Sequence, residues 1–68
     1  MAALTPQQHN LLQRLAAAKE RGFDFVSLHG GDKVTVRALF RTGLAERARW
    51  WCGARITDKG LAALTEAT

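Results

Sequence analysis

Residues 35–44 constrain the fold more than any other stretch, because they read as a short amphipathic helix with a defined stop. Val36, Leu39 and Phe40 follow i, i+3, i+4 spacing and share one apolar stripe. Arg37 and Arg41, four residues apart, share a different stripe that faces water. Gly43 follows the last helical position, where a positive φ is commonly needed and glycine takes it without strain. Leu44 then stands where it can close back on Leu39. An apolar inner face with arginines outside suits a nucleic-acid reader, and it also suits a plainly solvated helix surface.

The rest of the chain is legible around that helix. Residues 1–4 are expected to fray. Thr5, Pro6 and Gln8 form a helix start, with Thr as N-cap, Pro at the first helical position and Gln completing a capping box. The first helix is expected over residues 6–21. Leu11, Leu12, Leu15, Ala16 and Ala18 lie inward, and Gln13, Arg14, Lys19 and Glu20 face water. Gly22 and Phe23 repeat the stop used at Gly43 and Leu44. Residues 23–28 are too few for a helix and alternate Phe23 and Phe25 with Asp24, which predicts a brief strand. Residues 29–32 carry turn chemistry, and either Asp32 or Thr35 can cap the central helix.

Beyond Leu44 the period changes to that of an extended strand. Glu46, Ala48 and Trp50 fall on one side with Leu44, and Ala45, Arg47, Arg49 and Trp51 on the other. Cys52 and Gly53 supply a turn, and residues 54–56 return as the partner strand. Thr57 then caps a last helix with Asp58 in its first turn, and Leu61, Ala62 and Leu64 form its buried side. The expected order is helix, strand, helix, strand, strand, helix: an α+β fold with three helices and a small antiparallel sheet, its hairpin at about residues 45–57.

Charge separates the two halves. Through Asp32 three bases meet three acids. From Lys33 to Lys59 seven bases face only Glu46 and Asp58, a net +5. Positive charge gathered on one half of a small domain is the footprint of polyanion binding.

Two landmarks then resemble a known family. Arg41, Gly43, Leu44, Ala45 and Glu46, followed by a basic hairpin and by Ile56, Thr57 and Gly60, resemble the second half of bacterial winged-helix domains of the MarR-like type. The similarity covers residues 34–64 and, more loosely, the first helix. It implies a single winged-helix domain over residues 1–68, with a recognition helix at about residues 33–42 entering the major groove. Lys33, Thr35, Arg37 and Arg41 would face bases and phosphates, and Arg47, Arg49 and Arg55 would form the wing. The chain departs from the family pattern in one place. Residues 23–33 leave no room for a full helix before the recognition helix, so that helix is expected to be a turn or absent.

Other constellations are weaker. Trp50 and Trp51 beside Arg49 and Arg55 suit a stacking platform, a protein interface, or one core and one edge tryptophan. His9 and His29 lack partners at ligand spacing, so no metal site is expected. Gly30 and Gly31 lack phosphate-loop spacing. Nor is there a Ser/His/Asp set or a carboxylate pair, so no catalytic residue, cofactor or enzyme activity is expected. The single cysteine, Cys52, excludes an intrachain disulfide and fits a reducing cytoplasm. The first residues lack signal-peptide character, and no apolar run approaches the roughly 20 residues of a membrane span. The leading expectation is a cytoplasmic bacterial protein that binds double-stranded DNA as a small regulator or accessory factor. The alternative is a winged helix that docks an acidic protein partner through Trp50, Trp51 and the basic hairpin.

Overall fold

The computed structural model describes residues 4–49 and 51–67. Thr5 opens the first helix as its sequence requires. Its hydroxyl accepts the Gln8 N–H at 3.2 Å, and its own N–H donates to the Gln8 side chain at 3.2 Å. The helix, α1 (Pro6–Glu20), ends on Gly22 at φ +88°. There the Phe23 N–H donates to the Ala18 carbonyl at 2.9 Å and the Gly22 N–H to that of Lys19 at 3.1 Å. These two bonds satisfy carbonyls that a helix end leaves open. The central helix, α2 (Asp32–Arg41), stops in the same way at Gly43, φ +78°, with Leu44 N–H donating to Leu39 at 2.9 Å. The two stops differ in burial: Leu44 is 8% exposed, whereas Phe23 is 60% exposed.

Between the helices the strand shrinks to β1 (Val26–Ser27), and residues 28–31 connect it to α2 without a helix. The start of α2 corrects the sequence reading. Neither Asp32 nor Thr35 is its cap; Gly31 holds that position with no side-chain bond. Asp32 is drawn instead to Arg14 on α1, 2.5 Å away, and the Thr35 hydroxyl donates back to the Gly31 carbonyl at 3.2 Å.

The hairpin is β2 (Ala45–Arg47) and β3 (Gly53–Ile56). The sheet order is β1-β3-β2, with all pairs antiparallel. Glu46 faces Arg55 and Arg47 faces Ala54 across the hairpin, and Val26 faces Ala54 from β1. The first hairpin strand is shorter than its alternation suggests, and residues 48–52 rather than Cys52 and Gly53 make the connection. The cause lies at Gly53, where a Cβ would come within 2.7 Å of the Trp51 ring, so Trp51 folds down over β3. That turns Trp51 away from the Arg47 side of the sheet and onto the Arg55 side. Trp50 lies outside the described residues, as do Met1, Ala2, Ala3 and Thr68. Leu4, expected to fray, packs against the core.

The core gathers Leu11, Leu12 and Leu15 from α1, Val36 and Leu39 from α2, and Ala45, Ala54 and Ile56 from one face of the sheet. Helix α3 (Asp58–Ala67) closes it with Leu61, Ala63 and Leu64; Ala62, expected inward, is exposed. Thr57 caps α3 by accepting the Gly60 N–H at 3.1 Å, while its hydroxyl donates to the Gly43 carbonyl at 2.6 Å. The Thr57 N–H donates to Leu44 at 3.1 Å. Stop and cap are thus one joint. Among the described residues, three helices and a small three-stranded antiparallel sheet give an α+β arrangement consistent with a minimal winged-helix-like fold.

Candidate nucleic-acid interface

Helix α2 lies against α1 and β2 through Val36 and Leu39, 2% and 1% exposed, and this fixes which side faces out. At about 100° per residue, Lys33, Arg37 and Arg41 follow one another along a single outer stripe, and Val34 sits beside them. All four are exposed. Thr35 falls on the flank, half-buried, with its donor already used on Gly31.

The hairpin divides its arginines by strand alternation. Arg47 stands on the helix-bearing face of the sheet, the same face as Ala45 and Ala54, and is exposed because β2 is an edge strand. Arg49 follows it, also exposed. Arg55 points from the opposite face. Its Nε donates to Glu46 at 2.7 Å, its Nη1 donates to Asp24 at 3.0 Å, and its guanidinium lies 5.0 Å from the centre of the Phe25 ring. Glu46 first, and then Asp24, hold Arg55 more firmly protonated than a free arginine. The expected wing trio is therefore separated: Arg47 and Arg49 are free, and Arg55 is compensated.

The same contrast runs through the whole molecule. Arg14 pairs with Asp32, Lys19 reaches Asp58 at 4.0 Å, and Arg55 takes two carboxylates. Among the described residues, Arg21, Lys33, Arg37, Arg41, Arg47, Arg49 and Lys59 have no carboxylate within ion-pair distance, and five of these seven lie on α2 or on β2 and the turn after it. Because α2 packs against β2, the unpaired cations of these two elements concentrate positive charge on neighbouring parts of the fold.

On the far face of the sheet, Trp51 is 48% exposed and meets Phe25 edge to face, centroids 6.2 Å apart at 73°. An open groove of about 520 Å³ lies nearby, bordered by Lys19, Arg55 and Lys59 and by as many acids, Asp24, Glu46 and Asp58. Its balanced charge gives no preference for an anion. Among the described residues no group of three or more His, Cys, Asp or Glu could hold a metal ion, and no helix is long and apolar enough to cross a membrane.

Helix period placed Arg37 and Arg41 on the outer stripe, where the structure adds Lys33, and did not single out Val34. The signal was present: a β-branched apolar residue between Lys33 and Arg37, off the Val36–Leu39–Phe40 stripe. The opposite facing of Arg55 was readable too, once Glu46 is set across from it in the hairpin. Compared with known proteins, the chain matches no family model, and no curated protein or solved structure matches it.

Proposed function

We propose that this chain binds double-stranded DNA, α2 entering the major groove and the β2–β3 hairpin riding on the adjacent backbone, as a small bacterial transcription regulator or accessory factor of MarR-like type. The observation that carries the reading is that five of the seven cations without an ion pair among the described residues, Lys33, Arg37, Arg41, Arg47 and Arg49, fall on α2 and the neighbouring β2 side of the hairpin, whereas Arg14, Lys19 and Arg55 are paired. Arginine on α2 can read guanine bidentately, while Lys33 and the hairpin arginines suit phosphate.

If each of the five neutralises one phosphate, the logarithmic salt slope is about −4.5, and raising salt from about 50 to 200 mM weakens binding roughly 500-fold. Fluorescence anisotropy of a labelled random-sequence duplex measures this. Arg37→Ala and Arg47→Ala should each flatten the slope by about 1 if they remove a phosphate contact. Arg55→Ala should leave it unchanged, because its charge is already met by Glu46 and Asp24. Absence of duplex binding at the lower salt would refute the proposal. Exposed Trp51 and Phe23, 48% and 60% accessible, support the second reading, a protein partner on the sheet side, and that reading would then take precedence.

A further inference from the structure

We propose that Val34 reads a thymine methyl group in the major groove, an inference that rests on the DNA-binding reading of α2. Val34 is 72% exposed, more than Phe23 or Trp51, the other large exposed apolar side chains among the described residues. It is the third residue of α2, in the turn whose residues contact base edges when a recognition helix docks. Lys33 precedes it and Arg37 follows one turn later, so a DNA groove held by those two cations brings Val34 against a base edge.

The approach is open. Gly30 and Gly31 lie just before α2 without side chains, and a Cβ at either would meet nothing within 4 Å. Valine can neither donate nor accept a hydrogen bond, so only an apolar feature of a base pair can be its partner. In the major groove that feature is the C5-methyl of thymine. The side chain is also suited to it, because a β-branched residue in a helix keeps one dominant χ1 rotamer and loses little freedom on contact.

The test begins with duplexes selected by the wild-type chain from a random pool. Each recurrent thymine is then replaced singly by deoxyuridine, which removes the methyl and nothing else. One replacement should weaken binding about fourfold, the usual worth of one buried methyl. In Val34→Ala the same replacement should have no further effect, while the salt slope stays that of the wild type. Alanine is the better helix former, so this variant keeps α2 intact. If no deoxyuridine replacement alters affinity, or if the loss persists undiminished in Val34→Ala, the role of Val34 is overturned while DNA binding stands. Failure of every duplex to bind at low salt overturns both.

Discussion

Replacing Gly60 by alanine sets helix propensity against packing, and the two give opposite signs. Gly60 is the third residue of α3, where propensity alone favours alanine by about 1 kcal/mol. The structure opposes it, since a Cβ there would press into the carbonyl of Leu44 and lie 2.6 Å from Cγ1 of Ile56. The Ile56 side chain can turn aside, but the Leu44 carbonyl cannot. It accepts the Thr57 N–H at 3.1 Å, and the neighbouring Gly43 carbonyl accepts the Thr57 hydroxyl at 2.6 Å. Relief requires α3 to back away from the α2 stop, which loosens both bonds at about 1 kcal/mol each. Overpacking of this kind costs about 1–3 kcal/mol on top. Set against the propensity gain, the net loss is about 2–4 kcal/mol, which for a domain of this size lowers the melting temperature by roughly 8–32 °C. Thermal and urea unfolding followed by circular dichroism measure it. A Gly60→Ala chain as stable as the wild type, or more stable, would refute the assigned close approach and leave propensity as the controlling effect.

Two smaller perturbations test other joints. The Arg14 guanidinium, by its hydrogen bond and its charge, holds the Asp32 carboxyl below the usual aspartate range. Its stabilisation is therefore complete above about pH 4, the ordinary value, and is lost as pH falls further through the depressed one. Both side chains are partly exposed, so the effect is under about 1 kcal/mol; Asp32→Asn should remove that part of the acid slope of the urea midpoint, and parallel slopes would refute the assignment. Gly53→Ala should push the Trp51 ring off β3, since the added carbon would fall 2.7 Å from it. In a Trp50→Phe background, acrylamide quenching of Trp51 should rise and the near-ultraviolet signal of its contact with Phe25 should fall; unchanged quenching would mean the ring does not rest on Gly53.

Features decided within a few residues were legible in the sequence. Thr5 with Gln8, Gly22 with Phe23, Gly43 with Leu44 and Thr57 with Gly60 are local hydrogen-bonding solutions, and each is found where its residues predict. What escaped was decided across the chain. Asp32 is not a cap because Arg14, eighteen residues earlier, holds its carboxylate. Arg55 is not free because Asp24, thirty-one residues earlier, joins Glu46 on it. The hairpin connection differs from the expected turn because Trp51 claims the surface of Gly53, a packing preference that no turn rule contains. The candidate site divides likewise: the outer stripe of α2 follows from helix period, whereas the compensation of each arginine depends on partners that only folding brings near.

The strand order has a consequence for self-association. The last strand in sequence, β3, occupies the centre of the sheet, and its two flanks are β1 of two residues and β2 of three. Unpaired backbone along an exposed sheet edge is a template for adding foreign strands, and short or charged edges blunt that hazard. Here both open edges are among the shortest a sheet can have, and one of them carries Glu46 and Arg47. Cross-β growth thus finds almost nothing to extend, which protects a chain whose core is too small to tolerate much unfolding.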